Sequence, residues 1–326
     1  MRSIGRLFYF VLGFSISIVC LFFAFKGIQW VEVVESFERA NLWWLTASFL
    51  CQLLALFFAG WRWNTIINLP DVSWAQTSGA MVVGFMVNNI LPGRMGELVR
   101  PILLGQETKR SRTYLFATVV IDRISDLLVL VTLVLLSFGM FPLISWARQL
   151  SIGSGMVLLA GFFAIGLFNH PATGSRIEGI VYHLTPLRFR EKVADLLQKL
   201  RLGFRSIGSI RHGAGVLLLS WCLWTSAFLS LYLTLHSFRV TVPFWGMVLL
   251  LAVLNLGSLV PSSPGYAGTY HLLVVAVLSA FAIKKAEALS FALVFHAAWF
   301  IPQTLLGFVV LTKKNLSLWQ LAKTKE

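Results

Sequence analysis

The 326-residue sequence is 57% hydrophobic, 14% aromatic and only 12% charged, and its 27 Lys and Arg against 13 Asp and Glu give a net charge of +14. Soluble globular chains hold about 25% charged residues, so the composition excludes a soluble enzyme, a disulfide-stapled secreted scaffold and a disordered chain. Long continuous apolar runs, in place of short alternating strands, exclude a β-barrel and define an all-α, polytopic transmembrane bundle.

Arg2 and Arg6 precede an apolar run over 7–28. The run is long enough to cross a bilayer and no small-x-small cleavage site follows it, which predicts an uncleaved first span. The segment 30–40 (WVEVVESFERA) reads as a short acidic linker at the interface. Further full spans are expected at 42–61, 114–141, 151–169, 213–235 and 287–311, six in all with the first. Two other apolar regions are broken. Region 74–107 is interrupted by Asn88-Asn89-Ile-Leu-Pro92-Gly93-Arg94-Met-Gly96, and region 244–283 by Pro261-Ser262-Ser263-Pro264-Gly265-Tyr-Ala-Gly268. Proline removes a backbone donor and glycine weakens helix. Irregular backbone at membrane depth survives only where protein or a water-filled cavity surrounds it, so each region is expected to be a re-entrant hairpin or a pair of discontinuous helices. The loop 170–212 carries a basic amphipathic stretch at 187–207 that suits the membrane surface, and 312–326 forms a tail.

The basic residues lie in loops between apolar runs, which points to the positive-inside rule and excludes a nucleic-acid role. With the N-terminus and C-terminus in the cytoplasm, inside segments hold 20 basic residues and outside segments six, Arg123 falling within a span. Lys284 and Lys285 are then outside, against the trend. The whole of 1–326 reads as one integral-membrane domain. Its halves, 1–141 and 151–311, each run span, span, broken hairpin, span, which fits an inverted repeat of the kind found in transporters. Cys20, Cys51 and Cys222 lie in apolar runs, form no CxxC pair and read as small apolar residues.

Three constellations carry chemistry. The first is Asn88, Asn89, Arg94, Glu97 and Arg100 around the first break. Arginine in a membrane interior is expensive, and Glu97 and Arg100 share a helix face if helix resumes after Gly96. Two arginines and the free N–H groups of a helix start suit a phosphate; the alternative is simple anchoring at the headgroup layer. The second is Asp122-Arg123-Ile-Ser-Asp126. Two carboxylates four apart need a cation between them, with Arg123, Arg94 or Arg100 as candidates, either as a charge relay or as a structural ion pair. The third is the late loop with Ser262, Ser263, Gly265, Gly268 and His271, where a histidine titrating near neutral pH could gate or relay protons. His296, in the last span, is a weaker candidate. No Walker A loop, HExxH, paired CxxC or Gly-x-Ser-x-Gly elbow occurs, so no cofactor and no metal are expected.

These residues resemble the lysylphosphatidylglycerol synthase transmembrane-region family, whose members are also called flippase-like domain proteins. The family pattern of an Asn followed by Pro-x-Arg-x-Gly-Glu-x-x-Arg is matched by Asn88 or Asn89, Pro92, Arg94, Gly96, Glu97 and Arg100. An Asp-Arg-x-x-Asp element is matched by Asp122, Arg123 and Asp126, and a late Pro-x-x-Pro-Gly-x-x-Gly element by Pro261, Pro264, Gly265 and Gly268. The family commonly has Pro-Gly-Gly there and a Glu three residues after the last Gly; this chain has Tyr266 and His271. The resemblance implies a prokaryotic inner-membrane protein that moves or binds an anionic phospholipid or a lipid-linked intermediate. In some relatives the region is fused to a synthase or glycosyltransferase domain, which this sequence lacks. The leading expectation is therefore a non-enzymatic lipid translocase. In it Arg94 and Arg100 hold the headgroup, Asp122 and Asp126 balance charge, and Pro92, Gly93, Gly96 and the late loop let the breaks move. The alternatives are a membrane enzyme acting on a lipid or polyprenyl phosphate, and a non-catalytic partner of a glycosyltransferase or lipid synthase.

Overall fold

The computed structural model describes residues 2–91, 94–136, 171–191, 193–195, 197–198, 201, 209–258 and 262–314, with side chains from residue 12 onward except those of 171–175, 177, 178, 188 and 210. The span expected at 151–169, the tail beyond 314, much of 187–207, and Pro92, Gly93 and Pro261 lie outside the described residues.

The protein is a polytopic helical membrane protein. Helices α1 (Arg2–Phe25) and α2 (Trp30–Glu38) meet at a bend of 80°. They are followed by α3 (Leu42–Ile67), α4 (Trp74–Ile90), α5 (Gly96–Thr108) and α6 (Arg112–Leu136). After α7 (Pro171–Leu184) come α8 (Ile210–Ser237), α9 (Phe244–Gly257), α10 (Thr269–Ser279) and α11 (Lys285–Lys313). Short 3-10 turns form at Leu187–Phe189 and Pro264–Tyr266. Among the described residues, α3, α8 and α11 are each long and apolar enough to cross a bilayer alone, and the bent α1–α2 pair adds a fourth span if taken together. Helix α6 is as long, but Asp122, Arg123 and Asp126 interrupt its apolar run.

Both breaks fall where the sequence places them. Helix stops at Ile90 and resumes at Gly96; it stops at Gly257 and resumes at Thr269. One expected boundary moves: α3 continues to Ile67, a turn and a half beyond 61, and carries Trp61-Arg62-Trp63 inside the helix.

The chain forms two compact units from non-contiguous segments. Unit 1 holds 1–57, 81–100 and 222–326; unit 2 holds 58–80 and 101–221. In unit 1, α10 packs against α1, α9 and α11, and α2 packs against α11. Large apolar side chains point outward, as lipid requires: Phe22, Phe23, Leu50, Leu218 and Leu305 are all exposed. Hydroxyls turn inward. Ser48 Oγ reaches the Ser230 carbonyl, Ser230 Oγ and Thr234 Oγ1 at 2.9, 2.8 and 2.7 Å. Where lipid removes the hydrophobic drive, such polar contacts hold helices together at about 0.6 kcal/mol each. Lys285 Nζ donates to the carbonyls of Phe23 (2.9 Å) and Lys26 (2.5 Å), closing the C-terminal end of α1.

In unit 2, Ile66, Ile121 and Val216 form a buried cluster with Ile124 beside it. Polar side chains tie the helix ends. Trp63 Nε1 donates to Thr118 Oγ1 (3.1 Å), Tyr114 Oη to the Ile67 carbonyl (2.7 Å), and His212 Nε2 meets the Thr65 carbonyl (2.7 Å). Arg110 Nε bonds Asp71 Oδ2 at 2.8 Å in the loop after α3.

Candidate functional site

The first break is built by backbone contacts that only small residues permit. A Cβ at Gly96 would run into the Gly84 carbonyl, and one at Gly84 would meet the Gly96 carbonyl at 3.0 Å. Helices α4 and α5 therefore cross with glycine on glycine, and Gly96, expected as a hinge, is a packing residue at the start of α5. Asn88 Oδ1 accepts the Gly96 N–H at 2.7 Å. The Glu97 N–H goes to the Arg94 carbonyl, and those of Leu98 and Val99 go to the Met95 carbonyl. This corrects one expectation: the amides that open α5 are already bonded and are not free to bind an anion. Positive charge at the break comes from side chains.

Arg94 supplies it. Its φ is +53°, the left-handed region that side chains other than glycine rarely adopt. Asn68, Lys109, Arg239 and Ala282 share such angles, but they follow helix C-termini, where a left-handed residue is an ordinary stop. Arg94 and Tyr266 (φ +59°) instead lie within the two breaks. From this position the Arg94 guanidinium bonds Ser258 Oγ, at the edge of the second break, and stands 3.6 Å from Glu97. Its side chain is 30% exposed and that of Glu97 27%. The Arg94 Nε is buried with no hydrogen-bond partner among the described residues.

The neighbouring candidates take different places. Asn89 Nδ2 donates to Thr304 Oγ1 (2.9 Å) and the Phe300 carbonyl (3.3 Å), fixing the end of α4 to α11. Arg100 is buried against Met81 and Gly84 on α4, so Arg94 presents the accessible guanidinium while Arg100 is enclosed between helices. The first and second breaks thus meet within unit 1 through Arg94–Ser258, while Asn89 ties the first to α11.

The second break is held from three sides. Ser17 Oγ of α1 accepts the Ser263 N–H at 2.7 Å. Ser262 is buried and its carbonyl leaves Gly13 no room for a side chain; the Ser17 carbonyl does the same to Gly268. Ser263 Oγ donates to the Ala267 carbonyl at 2.9 Å, and Pro264 opens the 3-10 turn. Gly265 (φ +66°) and Gly268 (φ +91°) take angles that the chain needs here and that only glycine takes cheaply. His296 Nε2 lies 2.9 Å from the Gly265 carbonyl, and the Gly268 N–H points to His271 Nδ1 at 3.4 Å.

In unit 2, the Asp122/Asp126 pair has its cation, and it is Arg62. Arg62 Nη2 lies 2.7 Å from Asp122 Oδ1, its Nη1 2.7 Å from Asp126 Oδ1, and its Nε 2.9 Å from Asp122 Oδ1. Ser220 Oγ lies 3.4 Å from Nη1. Arg123 bonds the outer oxygens of both aspartates, at 2.9 and 3.2 Å. Arg62 and Asp122 side chains are 1% and 0% exposed. A span ending at 61 makes Arg62 one of the cytoplasmic loop charges that set topology. The extra turn and a half of α3 puts it inside instead, facing carboxylates 60 residues away. Among the described residues these two basic and two acidic groups make a neutral set, the form in which buried charge is tolerable.

Among the described residues no group of three or more His, Cys, Asp or Glu is placed to hold a metal ion. No solved structure matches the chain. A UPF0104 membrane protein of Pyrococcus horikoshii is 23% identical over 326 aligned residues, covering 94% of this chain and 96% of its own. A UPF0104 membrane protein of Methanothermobacter thermautotrophicus is 23% identical over 265, covering 76% and 78%. The model of the lysylphosphatidylglycerol synthase TM region matches residues 10–307, spanning both breaks and the Arg62 cluster, and the chain belongs to that family of membrane proteins.

Proposed function

We propose that the protein is a lipid translocase that takes the anionic headgroup of a phospholipid or lipid-linked intermediate at the first break while the acyl chains stay in the bilayer. The observation that carries this reading is Arg94. It is a non-glycine residue in a left-handed conformation, which costs of order 1 kcal/mol or more and persists where the surroundings hold it for use. Its guanidinium is partly open, with one N–H unmatched among the described residues, and its two partners are weak ones: a serine hydroxyl and a carboxylate at 3.6 Å. A phosphate would replace them with a bidentate, charge-assisted pair. Glu97 would then be released to balance charge or accept a proton. Because Ser258 belongs to the edge of the second break, headgroup binding at Arg94 would loosen the link between the breaks and let them move. Arg62, Asp122, Asp126 and Arg123 serve as a rigid, neutral support.

The orientation that goes with this reading has both termini in the cytoplasm of a prokaryotic inner membrane. The test is scrambling of a fluorescent anionic phospholipid in proteoliposomes. Wild type moves the lipid chemically intact; Arg94→Ala loses at least about tenfold in rate, the equivalent of 1.4 kcal/mol, with unchanged thermal stability. Equal rates in both proteins overturn the assignment.

A further inference from the structure

We propose that His296 and His271 together form a proton-binding site, a latch through which one proton fixes the loop 263–268 to α11. The backbone partners set the tautomers. A carbonyl only accepts, so His296 Nε2, 2.9 Å from the Gly265 oxygen, carries a hydrogen. An amide only donates, so His271 Nδ1, facing the Gly268 N–H, is bare and that ring's hydrogen is on Nε2. His271 Nε2 is buried with no partner among the described residues, and His271 itself is 5% exposed. The ring centroids stand 5.0 Å apart. His271 is therefore neutral in this arrangement, His296 keeps its bond whether neutral or protonated, and both grip the same short loop.

An added proton acts differently on the two rings. On His296 it goes to Nδ1, and the Nε2–H bond to Gly265 becomes charge-assisted and roughly twice as strong. On His271 it would go to Nδ1, against the Gly268 donor, and the bond would be lost. A second imidazolium 5.0 Å away is also disfavoured. The pair thus takes one proton and holds it on His296. Aromatic faces favour the cation there: Tyr270 stacks on His296 at 4.9 Å and Trp299 lies at 4.7 Å. The other titratable or charged groups on the elements around the pair begin with Glu32, Glu35 and Glu38 of α2, which packs against α11. Helix α10 brings Tyr270 beside His271, the loop brings Tyr266, and the described part of α1 brings Cys20. Helices α4 and α9 carry no charged residue. On α11, Lys285, Glu287 and Lys313 lie at least nine residues from His296, about 13 Å along the axis. Arg94, bonded to Ser258, is the charge at the loop's far edge, with Glu97 beside it.

The latch itself stands apart from the translocase reading; only its effect on transport rests on that reading. The test uses the full chain in nanodiscs from about pH 3.5 to 8. Imidazolium quenches indole, so the Trp299 emission, taken as wild type minus Trp299→Phe, falls on acidification. His296→Gln keeps an Nε2-like donor that cannot titrate and abolishes the step. His271→Asn keeps an Nδ1-like acceptor and preserves it. Hydrogen exchange of amides 265–272 in wild type, corrected for intrinsic rates, slows by about tenfold on the acid side, the effect of a one-unit difference between held and free loop. An identical emission step in His296→Gln, or loop exchange unchanged by pH in wild type, overturns the latch. Lipid scrambling, run in parallel, slows at low pH in wild type and not in His296→Gln. Emission and exchange steps without scrambling at any pH would sink the transport reading and leave the latch; scrambling without those steps would do the reverse.

Discussion

Arg62 and Arg94 are the same residue in similarly apolar surroundings, each with a carboxylate close by, and the fold uses them in opposite ways. Arg62 lies in a continuous helix, 1% exposed, with its contacts to both carboxylates at 2.7–2.9 Å and both shared with Arg123. Arg94 lies in a break, 30% exposed, on a strained backbone, with its carboxylate at 3.6 Å. Charge paired at short range inside a continuous helix suits a structural role. Charge left part-open on irregular backbone suits the binding role we propose for Arg94. The residue type does not distinguish the two cases; the completeness of the surrounding set does.

Breaking the enclosed set has the largest expected effect. Arg62→Ala leaves Asp122 and Asp126 to share Arg123, one carboxylate charge uncompensated, and costs about 3–5 kcal/mol, read as a drop in thermal stability of the detergent-solubilised protein. The quadruple change Arg62→Met, Asp122→Leu, Arg123→Leu, Asp126→Leu removes the set as a unit and recovers most of that stability. If it is as unstable as Arg62→Ala, the set is more than a neutral support. Gly96→Ala comes next: its Cβ meets the Gly84 backbone, which cannot yield, and overpacking of this kind costs about 1–3 kcal/mol. The melting temperature falls and Arg94 loses its position, so scrambling falls with it. Asn88→Ala removes the acceptor for the Gly96 N–H and costs about 1 kcal/mol, the value of a helix cap.

The smallest effect is expected at Asp71, outside the spans. The Arg110 guanidinium holds its carboxyl below the usual carboxylate range. A lowered folded value means that the contribution is present above the unfolded pKa and is lost as pH falls through the folded one. Asp71→Asn therefore leaves stability at neutral pH within error, as for most exposed pairs, and differs from wild type only in removing a shallow loss on the acid side. A marked loss at neutral pH would place this loop pair with the Arg62 class.

The breaks were legible because proline and glycine act locally: Pro92, Gly93, Pro264 and Gly265 announce them without any knowledge of neighbours. Asp122 and Asp126 were legible as a pair that needed a cation. The identity of that cation was not, because the apolar run 42–61 ends at the charge of Arg62, which reads as the start of a loop. Only the buried face against α6 keeps the helix going to Ile67. Gly96 read as a hinge because its partner, Gly84, lies in another helix. His296 read as weak because its value comes from Gly265, 31 residues earlier, and from His271 on the neighbouring helix. Lys285, the exception to the charge asymmetry, is spent on the Phe23 and Lys26 carbonyls and so is a poor witness to topology.

That same lysine bears on how the protein is made. Synthesis delivers α1 long before α11, yet the Phe23 and Lys26 carbonyls at the end of α1 take a side-chain donor from α11, the last described helix. Until residue 285 has left the ribosome, the first helix enters the bilayer with an open end, and unit 1, which draws on residues from both ends of the chain, has no means of closing. Assembly of this half of the molecule is therefore a late, post-insertion event, and a ribosome stalled between α10 and α11 would leave a nascent chain whose earliest helix is still available to quality-control machinery.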